Sequence, residues 1–329
     1  MTEHGAAPVV SVVLTTYNQG KWLAQAIESV LAQTLVEWEL LVVDNGSTDD
    51  TPAVCARYAH DARIHVRRSA ENQHHTVVSN AAIQACRGEY VAFLYGDDYY
   101  LPDKLQTQVD ALRLSAPRVC GVYCSTFILD EATGQLELHR CGSLRGPNLF
   151  PVMFAEGQPF MPLAPLVRRE SLLRYPFYEE LFMEGEGVFN RLAWEYEWDF
   201  VDAALGVMRS HGENMGKAID WNLRRVRRAN ELMGADPRFP EPYRPLLGAQ
   251  NAKLYAMHGW QVMRRERRYG TGRGWLLEAI RFDPRIVRRP RVLLGLGMSL
   301  LPRLAADSVN AIMDRVYGAP PKAPREPLP

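Results

Sequence analysis

Apolar runs and helical patterns alternate along the first hundred residues. Segments of strand length lie at 9–15, 39–43, 63–67 and 90–94, and all except 63–67 ("RIHVR") are largely apolar. Residues with helical spacing of apolar positions fill the gaps, over 20–34, from Pro52 onward and over 76–86. This alternation predicts a mostly parallel sheet that is covered by helices on both faces.

The middle of the chain is less regular, and its last third is helical. Residues 121–130 and 134–138 are typical of two strands around a turn at Thr133 and Gly134. Residues 184–196 predict a helix whose apolar side chains Phe189, Leu192 and Ala193 point inward. A strand then leads to a polar end at His211, and a helical, arginine-rich pattern follows from Gly216.

This order predicts four regions. Residues 1–110 and 111–215 form two halves of one α/β domain, and residues 216–317 form a helical extension. Residues 318–329 are rich in proline and are expected to be disordered.

Charge is distributed unevenly, although the formal net charge of the 329 residues is zero. The net charge is −7 over residues 1–110, −5 over 111–215 and +12 over 216–329. The five cysteines have no paired metal-ligand spacing, and the amino terminus lacks the pattern of a secretion signal. We therefore expect reduced thiols and a cytoplasmic location. The longest apolar run, which starts at Val292, is too short to span a bilayer.

Polar residues follow three of the predicted strands. The first strand ends in 15–20 ("TTYNQG"), the second in Asp44 and the fourth in 95–98 ("YGDD"). Ligands of parallel α/β sheets bind beyond the carboxyl ends of the strands, so these clusters are expected to converge on one rim. Such a rim is what a nucleotide pocket needs, and the alternative is a set of ordinary solvated loops.

Two adjacent carboxylates, Asp97 and Asp98, stand at the end of the fourth strand. Adjacent carboxylates repel each other unless water or a cation separates their charges. A Mg²⁺ or Mn²⁺ ion prefers oxygen ligands and would relieve this repulsion, with phosphate oxygens in its remaining positions. We expect Asp97 to lie at a strand end, outside the core.

Residues 8–215 resemble the family 2 glycosyltransferases, the inverting enzymes of GT-A fold. The resemblance rests on the order of "TTYNQG", "VVDNGSTDDT", "ENQ", "GEYVAFLYGDDYYLPDKL" and "RSHGEN". It implies a nucleotide-diphospho-sugar donor, a divalent metal, and transfer with inversion at the anomeric carbon. In this interpretation, residues 1–110 bind the donor and residues 111–215 bind the acceptor.

The resemblance also implies roles for single residues. Asp97 matches the metal ligand, while Asp98 either assists it or caps a helix that starts near Pro102. His211 lies where the family often has a histidine near the diphosphate or the metal. Tyr95 replaces the first acid of the family's D-x-D-D motif.

A carboxylate at the end of the second strand can accept the ring N–H of uracil or thymine, which is the role implied for Asp44. The alternative is a local turn in "DNGS". The other residues predicted to bind the nucleotide are Thr15, Tyr17, Asn18, Asn80, Tyr95, Gly96 and Asp97. His74 and His75 are interpreted as loop residues, and Ser79 stands where the family usually has arginine.

The reaction needs a general base that takes the proton of the acceptor. The family carries acids before the helix that holds "RLA", and this chain has Glu184 and Glu186 there, separated by Gly185. Either glutamate is a candidate for the base. The alternative is that both only stabilise the start of the helix.

The predicted activity is therefore metal-dependent transfer from a UDP- or dTDP-sugar to a sugar, lipid-linked or small-molecule acceptor. One alternative is a binding module without catalytic activity, favoured by Tyr95 and Ser79. Another is a sugar-phosphate nucleotidyltransferase, but "TTYNQGK" is a poor phosphate loop. The basic helices after 216 either pack with arginines in solvent or contact the inner face of the membrane. Nucleic acid is not an expected partner, because aromatic residues are not interleaved with the arginines.

Overall fold

The computed structural model describes residues 7–147, 149–182, 187–214 and 218–317. The chain folds as two units, the first ending at Ser210 and the second beginning at His211.

The described part of the first unit has one sheet of nine strands. The strands are β1 (Val10–Thr16), β2 (Trp38–Asp44), β3 (Ile64–Arg68), β4 (Tyr90–Tyr95), β5 (Tyr99–Tyr100), β6 (Val119–Asp130), β7 (Leu136–His139), β8 (Leu166–Arg168) and β9 (Glu197–Ser210). The helices are α1 (Gly20–Leu31), α2 (Thr51–Tyr58), α3 (His75–Ala85), α4 (Lys104–Leu114), α5 (Leu149–Glu156), α6 (Arg169–Arg174) and α7 (Gly187–Glu195).

The strand order is β3-β2-β1-β4-β8-β6-β9-β5, and β7 forms a hairpin with β6. The pairings β1–β2, β1–β4, β2–β3 and β6–β9 are parallel. The short strand β8 joins the two parallel groups through antiparallel pairings with β4 and β6. The predicted α/β fold with a mostly parallel central sheet is confirmed.

Helices cover both faces of the sheet because successive side chains of a strand point to opposite sides. On one face, Leu14 and Val42 belong to the same buried cluster as Leu23 and Ile27 of α1. On the other face, Val43 lies beside residues of α3. The predicted strands of the first hundred residues begin and end within one residue of the observed ones.

Two local predictions in this unit were incomplete. The helix expected near Pro102 begins at Lys104, with Asp103 as the residue before it. Between this helix and β4 the chain forms β5, which pairs with β9. The predicted helix with Phe189, Leu192 and Ala193 inward is confirmed as α7, in which all three are buried.

The second unit is helical, as predicted for the residues after 216. Its helices are α8 (Ile219–Ala235), α9 (Leu247–Glu266), α10 (Tyr269–Phe282), α11 (Pro290–Leu300) and α12 (Arg303–Tyr317), with 3-10 turns at Glu241–Leu246 and Pro284–Arg288. Helices α9 and α10 approach closely at two glycines, since a Cβ on Gly272 would lie 2.7 Å from the Gly259 carbonyl oxygen. No helix in the described residues is long and apolar enough to cross a membrane.

All five cysteines lie in the first unit, where they are buried and not in disulfides: Cys55, Cys86, Cys120, Cys124 and Cys141. Their side chains pack as small apolar groups.

Candidate functional site

The carboxyl ends of three neighbouring strands form the centre of the candidate site. Thr16 of β1 pairs in register with Asp44 of β2, and Thr15 of β1 pairs with Tyr95 of β4. The register therefore brings together at one edge of the sheet the polar residues that end these three strands.

The turn after β4 continues this edge. The Gly96 N–H donates to the Thr15 carbonyl (3.1 Å), and the Asp98 N–H donates to the Tyr95 carbonyl (3.0 Å). A Cβ on Gly96 would lie 2.4 Å from Thr16 Oγ1, so only glycine allows this turn to approach β1 so closely.

Both carboxylates of this turn are buried, with 9% of Asp97 and 5% of Asp98 exposed. Asp97 lies just beyond the end of β4 and outside the hydrophobic core, as expected, but its side chain is buried. Burial and the nearby Asp97 charge raise the pKa of Asp98 well above its ordinary value, and Arg209 only partly opposes this. The two side chains form a concentrated acceptor for a cation.

The alternative role of Asp98 as a helix cap is wrong. Its Oδ1 accepts a hydrogen bond from the backbone N–H of Arg209 (2.9 Å), while α4 begins six residues later. This contact ties the acidic turn to β9, a strand 111 positions further along the chain.

The Arg209 side chain is buried, and its contacts connect several segments at this edge of the sheet. Its guanidinium contacts Glu131 (Nη1–Oε2, 2.7 Å), donates to Gln25 and lies over the Tyr99 ring (5.4 Å). Glu131 also accepts hydrogen bonds from Trp22 Nε1 and Lys21 Nζ, both at 3.1 Å. These hydrogen bonds, above all that from Trp22, lower the pKa of Glu131 to about 2, so it stays ionised.

Arg209 and Glu131 were not predicted from the sequence as parts of the site. Arg209 stands in the "RSHGEN" segment that was matched to the family, but Glu131 lies in the loop between β6 and β7. Their pairing depends on how β6 and β9 align, which no local pattern reveals.

The Asp44 carboxylate is almost fully buried at the end of β2, with 1% exposed. Its Oδ1 accepts the Ser47 N–H (2.9 Å), which is the local turn that the sequence offered as an alternative. Its Oδ2 accepts no hydrogen bond among the described residues, although Arg68 Nε lies 3.3 Å away. A buried oxygen that accepts no hydrogen bond is unusual, and it could accept one from a bound ligand.

Arg68 is a third residue of this edge that was not predicted from the sequence. Half of its side chain is exposed, and its Nη2 donates to the Ser47 carbonyl (2.8 Å). Arg68 and Val43 also line a cavity of about 380 Å³ beside α3.

The predicted residues Tyr17 and Asn18 lie in the loop after β1, and both are half-buried. Asn18 has a left-handed backbone (φ 53°), its N–H donates to Ser47 Oγ (2.9 Å) and its Oδ1 accepts the Thr48 N–H (2.8 Å). Asn18 therefore joins the loops after β1 and β2 at the rim.

His75 is part of the rim and not of a loop, in contrast to its interpretation from the sequence. It is the first residue of α3, and its ring contacts Thr15 Oγ1 (Nε2, 2.8 Å) and Ser79 Oγ (Nδ1, 3.3 Å). Its ring centroid is 5.9 Å from that of Tyr95. Burial lowers the pKa of His75 to about 4, so the imidazole is neutral near pH 7.

Asn80 lies one turn further along α3, and its amide is occupied within the protein. Its Nδ2 donates to the Phe177 carbonyl (3.0 Å) and to Glu179 Oε1 (2.9 Å), and its Oδ1 accepts the Phe177 N–H (2.9 Å). These bonds fix the segment before α7 against α3. The predicted contact of Asn80 with a nucleotide remains a prediction.

The two candidate bases, Glu184 and Glu186, lie outside the described residues, and α7 begins directly after them at Gly187. His211 starts the second unit, where its backbone N–H donates to Asn214 Oδ1 (2.6 Å) and its Nδ1 accepts the Glu213 N–H (3.3 Å). The roles of these three residues remain predictions.

The acidic turn fits a metal ion only if a ligand completes the coordination. Among the described residues no group of three His, Cys, Asp or Glu side chains could hold a metal. Magnesium is commonly bound by one or two carboxylates together with substrate phosphates and water. Asp97 and Asp98 supply two such carboxylates, so the donor set fits an ion shared with a bound diphosphate.

Fold and rim together define an α/β protein of the GT-A type. Residues 11–151 match the sequence profile of the family described as Glycosyl transferase family 2. The chain is also 39% identical, over 104 residues, to the glycosyltransferase TuaG of Bacillus subtilis, whose name refers to teichuronic acid biosynthesis. That match covers 31% of this chain and 41% of TuaG. These matches agree with the recognition from the sequence, because residues 11–151 resemble the family 2 glycosyltransferases.

Solved structures share the fold at low sequence identity. TarS residues 1–349 of S. aureus, crystallised in complex with UDP, gives a TM-score of 0.63 at 17% identity, covering 92% of this chain and 91% of TarS. The mannosyltransferase PcManGT from Pyrobaculum calidifontis, in complex with GDP-Man and Mn²⁺, gives 0.58 at 18% identity, covering 94% and 89%. The chain spans less than half of the length of the curated relatives that it matches.

Proposed function

We propose that this chain transfers a sugar, with inversion at the anomeric carbon, from a UDP- or dTDP-sugar to an acceptor. The observation that carries the proposal is the convergence of Asp44, Thr15, Tyr95 and the Asp97–Asp98 turn on one edge of the sheet. A base, a ribose and a diphosphate need a series of polar groups along such an edge. The nucleotide complexes of the structural neighbours support this class of donor.

In the proposed complex, Asp44 Oδ2 accepts the ring N–H of the pyrimidine. This oxygen accepts no hydrogen bond from the described residues, and the half-exposed Arg68 side chain lies against it. A rotation of Arg68 would open the approach. Thr15 and Tyr17 then flank the base, while Asn18, Tyr95 and Gly96 complete the rim.

Asp97 and Asp98 would hold a Mg²⁺ or Mn²⁺ ion, which supplies charge neutralisation for the diphosphate when bound. The Mn²⁺ in the PcManGT complex supports this choice of ion. The Arg209 backbone N–H orients Asp98 for this role, and the buried Arg209 side chain keeps β9 in position.

Glu184 or Glu186 acts as general base in the proposed reaction. The acceptor oxygen attacks the anomeric carbon, the bond from that carbon to the diphosphate oxygen breaks, and the glutamate takes the acceptor proton. The electron pair of the broken bond leaves with the nucleoside diphosphate. The acceptor is a sugar, a lipid-linked molecule or a small molecule, and the proposed location is the cytoplasm or the inner face of its membrane.

Calorimetry of the full chain with UDP and with dTDP tests the proposal, each with Mn²⁺ and with EDTA. We expect Mn²⁺-dependent binding that Asp97→Asn weakens at least about tenfold, since the variant loses a charged ligand. Asp97→Asn is preferable to Asp97→Ala because the residue is buried and asparagine keeps its volume. The matched control is Asp103→Asn, an exposed acid before α4. Equal binding by Asp97→Asn and by the unchanged chain would rule out the metal role of Asp97.

A binding module without catalytic activity is the second candidate. It is favoured by Tyr95 in the position of an acid and by Ser79, which bonds to His75 in the position of an arginine. Donor hydrolysis with Mn²⁺ separates the two functions. A chain that binds UDP but neither hydrolyses nor transfers from any UDP- or dTDP-sugar would be the binding module.

A further inference from the structure

Helices α11 and α12 of the second unit direct apolar side chains outward. We call these side chains the apolar face, and it consists of Leu293, Leu294, Leu300, Leu301, Leu304, Ile312 and Val316, between 43% and 83% exposed. Large apolar side chains scattered singly on a surface are ordinary, but seven of them within two successive helices and their link indicate an interaction surface.

The helical spacing in α11 explains why its leucines are outside. Val292, Gly295 and Met298 recur every three residues and are buried, so they define the inner side. A Cβ on Gly295 would lie 2.7 Å from Leu276 Cδ1, which reflects close packing of that side on α10. Leu293 and Leu300 lie on the opposite side of the helix.

Helix α12 is held by polar contacts on its inner side. Asn310 is fully buried, where its Nδ2 donates to the Tyr269 hydroxyl (2.7 Å), and Arg264 Nη1 donates to its Oδ1 (3.0 Å). Asp314 is paired with Arg264 and with Arg267, both at 2.8 Å. Because the polar side chains point inward, Leu304 and the other apolar residues of α12 are left outside.

Arginines outnumber acids next to the apolar face, where Asp283 pairs with Arg285 and Asp307 pairs with Arg303. Residues 284–306 contain five arginines and no acidic residue. Arg288 and Arg289, directly before α11, and Arg291 in its first turn are exposed and form no ion pair with any described residue. Other arginines of the unit, such as Arg264, Arg267 and Arg281, are paired with acids.

We propose that the apolar face is a docking surface for an anionic lipid bilayer, on which α11 and α12 lie without crossing it. Leucines beside arginines that pair with no described acid have the chemistry of an interfacial helix, which inserts apolar side chains while cations contact lipid headgroups. A symmetric contact between two copies would place this arginine cluster close to itself, which disfavours a second copy as occupant. The inference concerns membrane attachment and does not depend on the proposed sugar transfer.

Co-sedimentation of the full chain with lipid vesicles tests the proposal. Vesicles of phosphatidylcholine with phosphatidylglycerol should bind the chain, and vesicles of phosphatidylcholine alone should not. Arg288→Ser, Arg289→Ser and Arg291→Ser together should weaken binding roughly a hundredfold, because each arginine near an anionic surface contributes about 1 kcal/mol. Raising the salt concentration should also weaken binding of the unchanged chain.

Leu300→Glu with Leu304→Glu should abolish binding, and the high exposure of both residues means that the fold should tolerate the change. Two control variants should bind like the unchanged chain: Met257→Glu, at a residue 49% exposed on α9, and Arg227→Ser, which removes an arginine paired with Glu231. Circular dichroism checks the folding of every variant. If the leucine variant fails to fold, the arginine variant and the salt titration still decide the question.

Three results would overturn the proposal. These are no preference for phosphatidylglycerol, unchanged binding by both the arginine and the leucine variants, or self-association in light scattering that only the leucine changes disrupt. The last result would make a second copy the occupant of the apolar face.

Discussion

The two oxygens of Asp44 have different surroundings at the end of β2. Oδ1 accepts the Ser47 N–H and so holds the local turn, whereas Oδ2 is buried without a hydrogen-bond donor among the described residues. The sequence offered the turn and base recognition as alternatives. Their coexistence is physically reasonable, since a carboxylate has lone pairs enough for both.

This leads to a prediction about the base of the donor. UDP and dTDP should bind better than CDP, because cytosine has no N3 hydrogen to donate to Asp44. The difference should be about tenfold, the value of one hydrogen bond to a charged acceptor. Asp44→Asn should reduce this preference, and competition calorimetry measures it. Equal affinity for CDP and UDP in the unchanged chain would contradict the assignment of Asp44 to the pyrimidine N–H. GDP in the same series tests whether the site also binds purine nucleotides.

A second prediction at this scale concerns the general base. Either Glu184→Gln or Glu186→Gln should lower turnover by about 10²–10⁴-fold, because glutamine keeps the shape of glutamate but cannot take the proton. Donor affinity should change little in both variants. Turnover at saturating donor, measured beside calorimetry, identifies the base as the residue with the larger loss. Wild-type turnover in both variants would place the base elsewhere.

The pKa of His75 provides a third prediction. The imidazole has a pKa of about 4 when folded, against about 6.5 in an unfolded chain, so the unfolded state binds the proton more readily. His75 therefore reduces stability as the pH falls from about 6.5 to about 4. In His75→Asn, the free energy of unfolding should depend less on pH between about 4 and about 6.5, as measured by urea unfolding. The exposed His60→Asn is the matched control, and an unchanged profile in His75→Asn would contradict the buried neutral state.

Single residues were predicted unevenly from the sequence. The positions of Asp44, Gly96 and Asp97 at or just beyond strand ends could be predicted because the strands before them are recognisable, while their roles remain predictions. Arg68, Glu131 and Arg209 could not be found as a group, because their roles depend on contacts between segments that are far apart. His75 was misinterpreted because a histidine at a predicted helix boundary gives no sign of burial.

At the scale of elements, Glu39 joins three parts of the sheet. Its carboxylate accepts hydrogen bonds from Ser11 Oγ of β1 (2.6 Å), from the Arg87 N–H (2.6 Å) and from Arg87 Nε (2.7 Å). Arg87 lies between α3 and β4, so one side chain of β2 connects the start of β1 with the link into β4. Burial raises the pKa of Glu39, but these hydrogen bonds outweigh it and hold the pKa below its ordinary value.

Glu39→Gln should therefore destabilise the first unit by about 1–3 kcal/mol at pH 7. Because the folded pKa of Glu39 is lowered, its contribution is fully present above the unfolded pKa and is lost as the pH falls through the folded value. The difference in free energy of unfolding between Glu39→Gln and the unchanged chain should accordingly become smaller below about pH 4.5. Urea unfolding at several pH values measures it, with the exposed Glu37→Gln as control. A difference that is constant with pH would contradict this role.

Elements were predicted more completely than residues. The apolar runs of β1, β2 and β4 are buried on both sides and therefore stand out from their surroundings. The two-residue β5 and three-residue β8 were not predicted, because strands so short carry no pattern of their own and exist only through their pairing with β9, β4 and β6.

At the scale of the molecule, all five cysteines are buried in the first unit, so their reactivity measures the packing of that unit alone. Burial raises the pKa of Cys55, Cys86 and Cys124 to about 11, which disfavours the reactive thiolate. Native thiols should react with a disulfide reagent at pH 8 at least about a hundredfold more slowly than unfolded ones, because exposure requires unfolding. Cys141, the most exposed at 8%, should react first. Rapid labelling of several thiols in the native state would contradict this packing.

The bond between the Arg209 N–H and Asp98 has a consequence for synthesis on the ribosome. Residues 9 to 98 contain most of the predicted nucleotide rim. They leave the ribosome more than a hundred residues before Arg209, whose backbone N–H orients Asp98. A nascent chain can therefore form the first parallel strands early but cannot complete the acidic turn until β9 has emerged. Any fragment that ends before residue 209 would contain both carboxylates of the turn and still lack the backbone donor that holds Asp98.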